Sequence, residues 1–231
     1  MRWISSEGGP LLLLDEQALD NWGGVVDPIA ASLTEKSWSP GGKPTDYDRA
    51  CRIDGWLGVI AVGATQGLVL GDEPMQTAWV PPCTEAGGMM VRWVFAESED
   101  EVVEWLGKIP DAIFRPECLF RVERPTLLLF DSGLAGRNVK SRPEEYLSIE
   151  LEPGLYEIET AIYEPDERTC MVVHRFKRSG WRRASERGPG RRLSAHENGD
   201  HRDCVLSFRF GAIMPKRRGG PGVCTQWNIT N

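Results

Sequence analysis

Three histidines and six cysteines bound the side-chain chemistry open to this chain. Cys51, Cys83, Cys118, Cys170, Cys204 and Cys224 are widely scattered, with no C-x-x-C pair and no short even framework, which predicts reduced thiols. A cysteine nucleophile needs a base. His174 could serve Cys51 or Cys83 only if the fold brought them together, and a lone histidine at a strand end beside Arg175 reads first as a surface group. His196, His201, Cys204 and Cys224 are zinc-ligand types, yet their spacing matches no common finger or ribbon and their flanks are rich in Gly and Arg. Asp46, Asp48 and Asp54 crowd carboxylates as a calcium loop does, but the regular alternation, central Gly and terminal Glu of such a loop are missing. Asp46 reads instead as the N-cap of a short turn carrying Tyr47 to Cys51. Neither a metal nor a cofactor is expected, and no catalytic residue is singled out.

The local signatures of several large enzyme classes are absent: no G-x-S-x-G elbow, no H-E-x-x-H, no Walker loop and no G-x-G-x-x-G. One enzymatic alternative stays open at this level, a small hydrolase-like protein with an irregular site around Cys51 and neighbouring carboxylates. Nine tryptophans are many for this length. Trp56, Trp93 and Trp105 sit inside apolar periodic stretches and are expected in the core, whereas Trp22, Trp38 and Trp79 lie at element ends, where an indole can anchor a partner.

The elements that must position these groups are mostly short strands. Asp15 is placed to cap a helix over Glu16 to Trp22 that Gly23 ends, and Ser98 with Glu101 forms a capping box opening a helix that Pro110 stops. Between the two helices, Leu57 to Val62, Leu68 to Gly71, Ala78 to Val80 and Met89 to Phe95 are bounded by Gly or Pro as strands are. After Pro110 the pattern is all strand: Glu117 to Val122, Thr126 to Phe130, then the alternations Leu147/Ile149/Leu151, Tyr156/Ile158/Thr160/Ile162 and Thr169 to Phe176. Tight turns at Glu152-Pro153-Gly154 and Glu164-Pro165-Asp166-Glu167 would join the last three strands into an antiparallel meander, with Ile158 facing the core and Glu159 the solvent. The fold class is therefore α+β: mainly antiparallel sheet, two short helices, a C-terminal β-meander and an irregular tail.

With 231 residues, one domain with an appendage is the expectation, long enough to bury a core without staples. Charge divides the chain. Residues 1–174 carry 14 Lys and Arg against 30 Asp and Glu, a net of −16, while residues 175–231 carry 13 against 4, a net of +9. The basic end holds Gly188-Pro189-Gly190, Arg191-Arg192 and Lys216-Arg217-Arg218 with little hydrophobic periodicity, a composition expected to stay largely disordered. Residues 1–178 are read as the body, with 1–110 and 111–178 as candidate subdomains, and 179–231 as the tail. The apolar run Leu11 to Leu14 is too short for a signal peptide or a membrane span, which predicts a cytoplasmic protein. The acidic body opposes nucleic-acid binding by the basic end.

The order of short motifs is more specific than any one of them. Trp3 to Leu14 is followed by Asp46-Tyr47-Asp48-Arg49-Ala50-Cys51, Gly58 to Gly63, Leu68 to Pro74 and Val91-Arg92-Trp93. Leu129-Phe130-Asp131-Ser132 and Leu151 to Tyr156 come later. This series resembles the immunity protein 21 family of bacterial polymorphic toxin systems, over about Trp3 to Lys177. The resemblance implies a cytoplasmic inhibitor rather than an enzyme, one that binds a toxin domain encoded by a neighbouring gene.

Given such a partner, the acidic body favours a basic toxin surface. Asp46, Asp48, Asp72 and Glu73 flank expected turns where side chains can reach it, with Trp79 as an apolar anchor. The competing structural roles are capping by Asp46 and turn-shaping by Asp72.

Overall fold

A run such as Leu11–Asp15, in which four successive residues are leucine, needs apolar cover on both faces of its sheet. The computed structural model describes residues 1–25, 44–71, 75–82 and 87–179, all within one unit, Met1–Trp181. Among these residues eleven strands build two antiparallel sheets. Sheet A has the order β1 (Trp3–Ile4), β5 (Gln76–Val80), β6 (Met89–Phe95), β11 (Thr169–Arg178), β10 (Gly154–Asp166) and β7 (Arg115–Val122). Sheet B has the order β3 (Leu57–Val62), β4 (Thr65–Leu70), β2 (Leu11–Asp15), β8 (Thr126–Asp131) and β9 (Tyr146–Glu150). The class is α+β, dominated by antiparallel strands. Strands from before and after Pro110 interleave in both sheets, so the two halves share one core.

Alternation along each strand produces four layers. Leu11 and Leu13, Leu68 and Leu70, and Leu127 and Leu129 of sheet B meet Met90, Phe120, Tyr156, Ile158 and Phe176 of sheet A in the cluster between the sheets. The intervening Leu12, Leu14, Val69, Leu128 and Phe130 turn to the other face of sheet B. There a 3-10 helix (Glu16–Asn21), α1 (Asp46–Ala50) and α3 (Gly136–Val139) cover them with Ala18, Leu19, Ala50 and Val139. On the far face of sheet A, α2 (Glu99–Leu106) lays Val102 against Val91, Ala161, Met171 and Val173. Each fully buried leucine contributes about 1.5–3 kcal/mol.

The caps follow the sequence with small shifts. Asp15 accepts from the Gln17 amide at 2.8 Å, but the helix it caps is 3-10 and ends on Trp22 rather than Gly23. Ser98 caps α2 through the Glu101 amide at 3.3 Å, and Glu101 reaches back to the Glu97 amide at 3.0 Å. The meander is the clearest difference. β10 and β11 form the expected hairpin, but β9 pairs with β8 in sheet B, and Glu152-Pro153 carries the chain across to sheet A. Alternation of Leu147, Ile149 and Leu151 reports which face is buried, not which strand lies alongside. α3 and the 3-10 turn Pro143–Glu145 are short helical pieces in a stretch read as all strand. Residues 180–231, nearly all of the basic segment, lie outside the described residues. No helix among the described residues is long and apolar enough to cross a membrane.

Candidate interaction surface

The sequence candidates separate in space. Asp48 completes a capping box with Thr45, accepting from its amide at 2.8 Å and its hydroxyl at 2.9 Å, so Thr45 and not Asp46 is the N-cap of α1. Asp46 is engaged on both oxygens, by the Gly23 amide at 2.8 Å and by Arg49 Nη1 at 2.7 Å. Asp48 therefore closes the cap of α1, and Asp46 ties the helix to the segment that follows the first 3-10 helix. Trp79 belongs to sheet A, where it is half-buried in the cluster between the sheets and meets Phe176 edge to face at 5.4 Å. Trp22, the other element-end tryptophan in view, is buried and donates Nε1 to the Ser132 carbonyl at 2.9 Å. Asp72, Glu73 and Trp38 lie outside the described residues, as do Cys83, His196, His201, Cys204 and Cys224. Gly71, which leads into the acidic pair, is fixed by two bonds: its amide donates to the Trp56 carbonyl at 3.0 Å, and its carbonyl accepts from Arg92 Nη1 at 2.8 Å.

The groups that could do chemistry are dispersed. Cys51 is exposed at the end of α1 on the outer face of sheet B, whereas His174 is fully buried in sheet A. His174 is thus a core residue, not a surface group, because it falls on the inward face of β11 with Phe176 and Val172. Burial and then the charge of Arg92 hold its imidazole well below the usual histidine range. Burial, with the charge of Glu117, pushes the Cys118 thiol up to about 11, and burial with Glu164 does the same to Cys170. Among the described residues no group of His, Cys, Asp and Glu is arranged to hold a metal ion.

What the structure does assemble is a graded face on sheet A. Residues two apart on a strand and residues directly paired across strands share a face, so Phe176, His174, Val172 and Cys170 of β11 point the same way as their partners. Phe176 belongs to the inter-sheet core. One step along comes a buried polar band: His174 paired with Thr160, then Arg92 in the next row beside Val172. The face opens at its two flanks: Ile162, opposite Val172 at the β10 side of that row, is 51% exposed, and Phe95, opposite buried Cys170 one row further on β6, is 46% exposed. Strand lengths explain the opening. The strands of sheet B are five or six residues long, while β10 runs for 13 and β11 for ten.

Two bulges shape this end. β6 carries an extra residue at Val94, between the pairs Trp93/Met171 and Phe95/Cys170, so that Val94 and Phe95 are both exposed although they are consecutive. β10 carries another between Tyr163 and Asp166, where Pro165 has no amide to offer the ladder. Acidic residues ring the opening. Glu97 and Glu101 flank Arg168 at 3.7 and 3.8 Å, and Glu164 accepts from Cys170 Sγ at 3.6 Å. Segments 94–104 and 162–168 together hold eight Asp and Glu against the single cation Arg168. Sequence reasoning missed Phe95 and Ile162 because alternation grouped Phe95 with Val91 and Trp93, and Ile162 with Tyr156 and Ile158. The available signal was the length mismatch between the final hairpin and the strands of sheet B.

The model of the family described as Immunity protein 21 matches residues 2–169, which takes in every strand from β1 to β10. No curated protein and no solved structure matches the chain.

Proposed function

The chain belongs to the immunity protein 21 family, and on that premise we propose that it binds and neutralises a cognate toxin domain, encoded by a neighbouring gene of a polymorphic toxin system, in the bacterial cytoplasm. The observation that carries this reading is the family match across residues 2–169. The protein acts as an inhibitor by occupying a surface, not by turning over a substrate. Its acidic body supports this, since a toxin that acts on nucleic acid or nucleotides presents a basic cleft to its substrate, and complementary charge speeds association and fixes orientation.

Asp72 and Glu73 are the sequence candidates we retain as direct contacts. Asp46, Asp48 and Trp79 could contribute only while keeping their roles in the cap, the α1 anchor and the inter-sheet cluster. Neutralising Asp72 and Glu73 together is expected to slow association and flatten its dependence on salt.

The test is co-expression with the C-terminal domain of the long secreted protein encoded next to this gene. Cells carrying that domain alone should stop growing, and cells that also express this chain should grow, with the two proteins co-purifying as a complex. Persistent killing in the presence of folded, expressed chain, together with no complex, would overturn the reading.

A further inference from the structure

The open end of sheet A is unlike the rest of the described surface. Met1, Val25, Val94, Phe95, Val103, Leu119 and Ile162 are the exposed large hydrophobic residues, and Val94, Phe95 and Ile162 gather on or beside one face of three adjacent strands. An apolar cluster that is rimmed by one sign of charge marks an interaction site more specifically than either feature alone. The surroundings of this face are packed. Val172, Cys170 and Arg92, beside Phe95 and Ile162 on the same face, are at most 4% exposed, and a register shift interrupts each flanking strand, so the rim is held by rigid sheet.

We propose that this end, with Phe95 and Ile162 at its centre and Glu97, Glu164 and Glu167 on its rim, is the surface that docks the toxin domain. The proposal rests on the immunity reading above and deepens it by naming the surface and the chemistry of its partner. The occupant is a convex apolar feature of the toxin surrounded by lysine and arginine. Charge decides this choice. A second copy of the chain would set the net negative rim of Glu97, Glu164, Asp166 and Glu167 against itself, an arrangement that costs association. A basic partner meets a net acidic rim, since Glu97, Glu164, Asp166 and Glu167 are set against the single cation Arg168, which sits between Glu97 and Glu101. The apolar centre supplies the slow step of dissociation, and the rim supplies the fast step of encounter.

The experiment measures binding of the full chain to the purified toxin domain by surface plasmon resonance at two salt concentrations, alongside sedimentation of the chain alone. Phe95→Ser with Ile162→Ser should weaken the complex by about 30-fold or more, chiefly through faster dissociation. Glu164→Lys with Glu167→Lys should slow association about tenfold at low salt and approach wild type at high salt. Leu119→Ser, an exposed apolar residue on the edge strand β7, should bind as wild type does. All five changed positions are exposed, and melting temperatures within a few degrees of wild type confirm folding. If wild type binds tightly and both double variants stay within twofold of it, the surface is wrong while the immunity function stands. If the serine pair instead splits a dimer of this chain and leaves toxin affinity intact, the face joins copies and the proposal fails. If wild type shows no binding, the immunity reading falls and takes this surface with it.

Discussion

Thr160 Oγ1 lies 3.0 Å from His174 Nδ1, at the line where the apolar core of the sandwich gives way to its open end. Both side chains are buried, and the second ring nitrogen, Nε2, has no hydrogen-bond partner among the described residues. A second proton on that ring would put a cation in the core beside Arg92, which is why the histidine stays neutral.

The consequence is a stability that depends on pH. In the unfolded chain His174 titrates near 6.5, whereas in the fold its pKa is lower. Between those values the unfolded state binds a proton that the native state does not. Stability must therefore fall as pH drops below about 6.5, by up to about 1.4 kcal/mol per pH unit. Glu117, whose pKa burial raises, acts in the opposite sense above 4.5, and Glu159, whose pKa is lowered, adds a loss only below 4.5. Urea denaturation between pH 7 and 5.5, compared with His174→Gln, isolates the histidine. A flat profile over that window, or the same slope in His174→Gln, would show that the ring is not buried neutral.

Much of the architecture was legible because the signals were local. β3 and β6 begin and end where the sequence placed them, and Ser98 caps α2 as read. What failed was information that belongs to pairs of distant residues. Nothing in Leu147 to Leu151 says that β8 is its neighbour, and nothing around His174 says that it will be fully buried. The candidate surface was half legible: the acidity was visible, while the exposure of Phe95 and Ile162 depends on where sheet B stops.

The neighbouring residues Ile158 and Glu159 show how this changes an expectation. Ile158 faces the inter-sheet core and is fully buried, as alternation required, so Ile158→Asp should cost several kcal/mol. Glu159 was expected in solvent, but it is 7% exposed. It accepts from Arg175 Nη2 at 2.7 Å, Arg175 Nε at 3.0 Å and Lys177 Nζ at 2.9 Å. Burial alone would raise its pKa, and those bonds outweigh it. Glu159→Ala should then cost about 1–3 kcal/mol rather than nothing, read as a shift in the urea midpoint. A change under about 0.5 kcal/mol would return Glu159 to the surface class.

Thiol chemistry offers a separate check on burial. At pH 8 a pKa of about 11 leaves Cys118 and Cys170 almost wholly protonated, and Cys170 is also buried. Exposed Cys51 should take up iodoacetamide from the native protein, and the other two only after denaturation, as read by peptide mass mapping. Rapid native labelling of Cys118 or Cys170 would mean that sheet A opens far more readily than its packing allows.

The sharpest steric test lies where α3 meets the first 3-10 helix. A Cβ on Gly136 would fall 1.9 Å from the Leu19 carbonyl oxygen, a backbone atom that cannot swing aside, and the Gly136 amide is already bonded to the Trp22 carbonyl at 2.8 Å. Gly136→Ala must push α3 off the outer face of sheet B, uncovering Leu19 and Val139, at a cost of about 3 kcal/mol or more. Gly107 is the counterpart. It caps α2 at φ −72°, and nothing lies within 4 Å of an added methyl group. Alanine fits there without strain and restricts the unfolded chain, so Gly107→Ala should stabilise by about 0.4–1 kcal/mol. Thermal melts of the two variants should move in opposite directions from wild type. If Gly136→Ala melts with wild type, the close approach of α3 to Leu19 does not exist in solution, and the packing assigned to that face of sheet B is wrong.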